Sequence, residues 1–119
     1  MRVTAMTATE AQAGRLPIPA DLWTPCEAEM AAYERDQSRA AEAILAHVRT
    51  TANRLGLAID TVHVPDCRAA RAILDTARRR GCDAIVTASH GRSGMGQIML
   101  GSHTAEVLAS ADIPVIVFP

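Results

Sequence analysis

The sequence predicts an α/β protein, a three-layer sandwich in which helices cover both faces of a mostly parallel sheet. Short apolar or alternating segments, typical of strands, are interspersed with segments whose apolar residues recur at helical spacing. Parallel strands need crossover connections, usually helices, so this alternation favours a parallel sheet. The chain has 119 residues, enough for one hydrophobic core. We therefore expect a single domain over residues 1–119.

The first half of the chain predicts a strand, a helix and a second strand. Residues 2–9 are rich in β-branched side chains and predict a strand, which a proline-containing loop at residues 10–24 follows. Residues 25–55 form one long helical pattern that Gly56 suits as a terminator, and residues 58–64 alternate as a strand does. The face predicted to turn inward on this helix comprises Met30, Tyr33, Gln37, Ala40, Ile44, Val48 and Leu55.

The second half predicts a helix, a strand, a loop, a short helix and a last strand. The helix at residues 68–80 ends in three arginines, whose charge suits the negative end of the helix dipole. A buried strand is predicted at residues 82–87 and a short helix at residues 104–111. The last strand runs from Ile113 to Phe118. The residues predicted to turn inward on the first of these helices are Ala69, Ala72, Ile73 and Ala77.

The glycine-rich loop at residues 88–103 has the strongest chemical signal in the chain. It follows a predicted strand and leads into a helix, an arrangement in which backbone N–H groups and the helix dipole hold phosphates. It is not a Walker A loop, because Ser102 occupies the place of the lysine, and its glycines are not in the order of the dinucleotide fingerprint. Gly91 and Gly101 either contact a phosphate or serve only tight turns and close packing.

The same loop resembles the C-terminal signature of the universal stress protein family, Gly-x2-Gly-x9-Gly-Ser/Thr. The corresponding residues are Ala88, Gly91, Gly101 and Ser102, with nine residues between the two glycines. The short sequences Ser-His-Gly-Arg-Ser-Gly and Ile-Pro-Val-Ile-Val are also similar to sequences of that family. The chain departs from the pattern at Ala88, where the family has glycine, and at His103, where a small apolar residue is usual.

The resemblance implies a Rossmann-like fold of the adenine nucleotide alpha hydrolase type and a role in stress response or signalling. It also implies that the loop binds the phosphate groups of ATP or AMP. Ser102 is expected to cap the following helix as well, and Arg92 offers a permanent charge whose planar fork matches phosphate oxygens. The candidate binding residues are Ala88, His90, Gly91, Arg92, Gly101, Ser102 and His103.

The resemblance further implies that residues 1–119 lack the family's first strand and helix. That strand ends in Asp-x-Ser, whose aspartate helps to hold adenine and ribose, and no such sequence occurs in residues 2–9. We expect a short domain with an incomplete pocket. Three explanations stay open. The chain is a fragment of a longer protein, a second chain supplies the strand pairing that the missing strand would provide, or strands 2–9 and 83–87 pair directly with each other. The alternative function is a dimeric interaction or scaffold module that binds no nucleotide.

Composition and charge argue against several other classes of protein. A net charge of −1 with mixed charges disfavours nucleic acid and anionic membranes as partners. The sequence shows neither a signal peptide nor an apolar run of membrane-spanning length. Three widely spaced cysteines predict reduced thiols in a cytoplasmic protein and lack metal-ligand spacing. No nucleophile and base form a recognisable pair, so we predict no catalytic residues and at most a slow ATPase.

The last predicted strand also indicates how copies of the chain associate. It is apolar, lies at the chain end and has Pro114 near its start, as edge strands do. Similar members of the family dimerise through this strand about a two-fold axis. We therefore expect a homodimer formed through residues 113–118.

Overall fold

The computed structural model describes residues 1–9, 27–89 and 101–119, and these ranges hold four strands and three helices. They form two compact units, Met1–Arg68 and Ala69–Pro119, called the first and second unit below. The element order confirms the predicted alternation of strands and helices. The elements are β1 (Val3–Ala8), α1 (Glu27–Arg54), β2 (Ile59–Val64), α2 (Ala69–Arg79), β3 (Ile85–Ala88), α3 (Ser102–Ser110) and β4 (Val115–Phe118).

The strands of the described residues are hydrogen-bonded as two parallel pairs, one pair in each unit. In the first unit β1 pairs with β2, with Val3 opposite Ile59 and Ala8 opposite Val64. In the second unit β3 pairs with β4, beginning with Ile85 opposite Val115. Both pairings are parallel, as the intervening helices require. None of the helices in the described ranges has the length and apolarity that a membrane span needs.

The predicted inward face of α1 is confirmed in part, because Tyr33, Gln37, Ile44 and Val48 are half-buried, but the fully buried residues are not among those predicted. Ala41 and Leu45 are 1% and 3% exposed, whereas Ala40 is exposed. The predicted series stepped three residues from Gln37 to Ala40, but the helix keeps the step of four that leads to Ala41. Leu55 is 69% exposed because it follows the last residue of α1 and belongs to the turn.

Glycines in the left-handed conformation end both α1 and α2. Gly56 has φ 70°, and its N–H donates to the carbonyl of Asn53 at 3.1 Å, while the N–H of Leu57 reaches the carbonyl of Ala52 at 2.9 Å. Gly81, with φ 62°, and the residue after it make the same two bonds at the end of α2. This paired pattern is the Schellman motif, in which a left-handed glycine satisfies the last carbonyl groups of a helix.

The core of the second unit lies between α2, α3 and one face of the β3–β4 pair. Val107 on α3 is fully buried and clusters with Ile85 on β3. The prediction for α2 is confirmed at Ala72 and Ala77, which are buried, while Ala69 and Ile73 are half-buried. The opposite face of the strand pair carries exposed apolar side chains, those of Val86, Ile116 and Phe118.

The strands of the second unit begin later than the sequence predicted. The N–H of Cys82 donates to the carbonyl of Ala77 at 2.9 Å and so completes the end of α2 instead of opening β3. Pro114 precedes β4, and its carbonyl accepts the N–H of Ile85 at 2.9 Å. The pairing of β3 with the last segment therefore starts through a residue that has no N–H of its own.

Candidate functional site

The candidate site lies in the second unit, where β3 ends and α3 begins. β3 ends at Ala88, and the N–H of Ser89 extends the pairing by donating to the carbonyl of Phe118 at 2.7 Å. The carboxyl ends of parallel strands are where α/β proteins bind their ligands. The residues after Ala88 and before α3 therefore occupy the expected position for a binding site.

Gly101 joins the two ends of the loop. Its N–H donates to the carbonyl of Ser89 at 2.7 Å, and its own carbonyl accepts the N–H of Ala105 at 2.9 Å as the first bond of α3. A Cβ atom on Gly101 would lie 3.2 Å from the Ser89 oxygen, closer than an ordinary contact. Close approach of two backbone segments therefore favours glycine here, whatever the loop binds.

Thr104 makes a second link between the same two elements. Its hydroxyl donates to the carbonyl of Ala88 at 2.8 Å, and the residue is only 7% exposed. This threonine is not predictable as a site residue, because sequence spacing alone does not show that its hydroxyl reaches back across the loop. The first turn of α3 is thus tied to the end of β3 by one backbone bond and one side-chain bond.

The structure corrects the role expected of Ser102. The residue at the cap position of α3 is Gly101, with φ −57° and ψ 147°, and Ser102 is the first helical residue. No side chain in the described part of the chain caps this helix, and its first turn holds no acidic residue. The first turn of α3 therefore offers no carboxylate to the positive end of the helix dipole, a condition that suits an anion.

The structure places part of the predicted set of binding residues. Ala88 is the last residue of β3, and Gly101 occupies the cap position of α3. Ser102 and His103 are exposed in the first turn of α3. The predictions for His90, Gly91 and Arg92 fall outside the described residues.

Ser89 is a further polar residue at this junction that the sequence analysis did not select. Its Oγ atom is buried and has no hydrogen-bond partner in the part of the chain that the structure describes. A buried hydroxyl without a partner costs about 1–3 kcal/mol on protein scales. It therefore marks a place where an additional polar atom would be stabilised.

Parallel strands joined by helices, with a glycine at the strand-to-helix junction, define the chain as a Rossmann-like α/β protein. A sequence model of the universal stress protein family matches residues 8–119. The chain belongs to the universal stress protein family. The match includes the whole junction between β3 and α3, so the resemblance predicted from the loop is confirmed.

Proposed function

We propose that this universal stress protein binds an adenine nucleotide, ATP or AMP, through its phosphate groups at the junction of β3 and α3. The observation that carries the proposal is the start of α3, where a helix without a side-chain cap among the described residues begins at the carboxyl end of a strand. Backbone donors and the helix dipole both favour an anion at such a position. Ligand binding would act in the stress response by changing shape or association, not by fast chemistry.

The contacts at the junction indicate which backbone groups hold the fold together and which would contact a ligand. The N–H of Gly101 is already bonded to Ser89, so phosphate contacts fall to the first turn of α3, at Ser102 and His103. The hydroxyl of Ser89, which has no partner among the described residues, fits the same proposal, because a phosphate oxygen or a bridging water would satisfy it. Within the proposal, His90, Gly91 and Arg92 complete the cradle.

Isothermal titration with ATP, AMP and inorganic phosphate tests this proposal when it is combined with two variants of Gly101. Asparagine and aspartate are both good capping residues, and each would occupy donors of the first helical turn. Gly101→Asp adds a negative charge that the isosteric Gly101→Asn does not. Both variants place a Cβ atom 3.2 Å from the Ser89 oxygen, so the junction must shift equally in each and the two are compared with one another. We expect Gly101→Asp to bind ATP about tenfold more weakly than Gly101→Asn does.

Two results would overturn the nucleotide proposal. If the native chain shows no heat of binding with ATP or AMP, the proposal is wrong. If Gly101→Asp binds ATP as tightly as Gly101→Asn does, the phosphates do not lie at the start of α3. Thermal unfolding of each variant shows whether a loss of binding reflects a loss of folding.

A second candidate function is a dimeric interaction module that binds no nucleotide. The observation that favours it is the close contact of Gly101 with Ser89, which accounts for a glycine at this position without any ligand. The glycines of the loop would then serve only the packing of the junction between β3 and α3. Undetectable ATP binding together with a stable dimer is the outcome that selects this function.

We propose homodimerisation through the segment from Ile113 to Phe118 under either function. β4 pairs with β3 in the described residues, and its Ile116 and Phe118 side chains are 50% and 56% exposed. An apolar strand at a sheet edge favours pairing with another copy. Light scattering should give twice the chain mass of 12.6 kDa for the native protein. Ile116→Glu should give the monomer mass, while Leu108→Glu on α3 should not; a monomeric native protein at micromolar concentration contradicts the proposal.

A cytoplasmic location belongs to the same proposal. The thiols of Cys67 and Cys82 are free, as suits a reducing compartment.

A further inference from the structure

A cleft lined mostly by polar residues lies in the first unit, at the carboxyl ends of β1 and β2. Its volume is about 190 Å³. Its walls come from the residue after β1, the turn after β2 and the first half of α1. The polar lining residues are Thr9, Tyr33, Glu34, Gln37, Ser38 and Asp66.

The inward face of α1 changes from apolar to polar where it reaches the cleft. Ala41 is buried, and one and two turns earlier the same face carries Gln37 and Tyr33, both half-buried. Glu34 and Ser38 line the cleft beside them. A helix that only covers a core keeps apolar residues along such a face. These side chains instead offer an amide, a phenol, a carboxylate and a hydroxyl to one cavity.

The opposite wall of the cleft is held in place by hydrogen bonds. The N–H of Thr9 donates to the carbonyl of Val64 at 3.0 Å, and the carbonyl of Thr9 accepts the N–H of Cys67 at 3.3 Å. The Thr9 Oγ1 and His63 Nε2 atoms share a hydrogen bond of 3.0 Å, which fixes the hydroxyl. Asp66 lies between these contacts in the left-handed conformation, with φ 53°. Thr9 therefore presents its side chain from a fixed backbone.

The charge and size of the cleft indicate which ligands it suits. Its charged lining residues, Glu34 and Asp66, are both acidic, so it favours a cation over a phosphate or a carboxylate. Tyr33 also lines the cleft, and aromatic rings attract ammonium groups at their faces. A volume of about 190 Å³ exceeds what a bare metal ion fills and matches a molecule of a few heavy atoms.

We propose that this cleft binds a small organic cation, an aliphatic amine that also forms hydrogen bonds. Its ammonium group is held by the carboxylates of Glu34 and Asp66, and its remaining polar groups are held by the hydroxyl and amide groups of the lining. The site is independent of the nucleotide proposal, because all its residues belong to the first unit.

Titration of the ¹⁵N-labelled full chain with 1,4-diaminobutane tests the proposal by amide chemical shifts. The probes 1,4-butanediol and succinate have the same carbon skeleton but are neutral and anionic. We expect saturable shifts at the amides of Thr9, Gln37 and Asp66 with the diamine, weaker binding of the diol, and no shifts at these amides with succinate.

Three variants assign the charge dependence to the cleft. Glu34→Gln and Asp66→Asn remove one carboxylate each, and asparagine tolerates the left-handed conformation that position 66 needs. Each should weaken diamine binding by up to about fivefold at low salt. Asp36→Asn removes the same charge from an exposed position outside the cleft lining and should leave the affinity unchanged.

The proposal is overturned if the diamine causes no saturable shift at the lining residues, or if the diol binds as tightly. It is also overturned if Asp36→Asn weakens binding as much as Glu34→Gln does, since the attraction would then come from the general charge of the chain. ATP titrations on the same variants keep this outcome separate from the nucleotide proposal.

Discussion

The hydroxyl of Thr104 is expected to hold the start of α3 against the end of β3, and Thr104→Val removes it with little change of shape. The hydroxyl donates to the Ala88 carbonyl at 2.8 Å from a residue that is 7% exposed. One such bond contributes about 0.5–1.5 kcal/mol net, and an acceptor left without a partner costs about 1–3 kcal/mol. Because Ala88 is exposed and water can replace the donor, we expect a loss of about 1 kcal/mol in the free energy of unfolding.

Urea denaturation followed by the helical circular dichroism signal measures this loss, and amide hydrogen exchange locates it. The N–H of Gly101, bonded to the Ser89 carbonyl, should exchange about fivefold faster in Thr104→Val if the junction opens locally. Thr104→Ser is the matched control, because it keeps the donor and loses only a methyl group. Its Gly101 amide should exchange as slowly as in the native chain.

The opposite pattern would refute this explanation. If Thr104→Val leaves unfolding and Gly101 exchange unchanged while Thr104→Ser loses stability, the residue acts through the packing of its methyl group. The link between Ala88 and the first turn of α3 would then contribute nothing measurable to the junction.

Four further substitutions, one of them a control, test the packing, a turn and a hydrogen bond of the two units. Val107→Ala removes two methyl groups from a fully buried site and should lower the free energy of unfolding by roughly 2–3 kcal/mol. The control Leu108→Ala, at 42% exposure, should lower it by less than about 1 kcal/mol. Equal losses in urea denaturation would contradict this prediction. Gly56→Ala forces a side chain into the left-handed region and should cost about 1–2 kcal/mol, so an unchanged thermal midpoint would argue against the φ of 70°. Thr9→Val loses the bond to His63 and should cost about 1 kcal/mol; a native-like urea midpoint would show that this bond does not stabilise β1.

The order of the elements was predictable because each segment carries its own local pattern. The long helix ends where Gly56 follows it, and α2 ends before Gly81, because a left-handed glycine closes a helix through bonds to its last turn. The parallel pairing followed from the helices between strands. Such signals depend on neighbours in sequence, so a single chain displays them.

Other features depend on contacts between residues far apart in sequence and were not predictable in the same way. The start of β3 is set by the bond from the Ile85 N–H to the Pro114 carbonyl, a residue far along the chain. The bond from Thr104 to Ala88 spans sixteen positions, and the one from Gly101 to Ser89 spans twelve. The sequence predicts Ser102 as the cap of α3 because serine favours cap positions. In the structure the cap is one residue earlier, at Gly101, where the close approach to Ser89 favours glycine.

Gly101 shows why a family signature and a phosphate site need separate tests. Its bond to Ser89 and the 3.2 Å limit on a Cβ atom account for glycine in any protein that builds this junction, with or without a ligand. The same contact accounts for a helix start without a side-chain cap, because glycine at the cap position has no side chain to offer. A bulky substitution would damage the junction under both functions. Capping residues that differ only in charge, aspartate and asparagine, separate the two, because only a bound anion makes the added charge costly.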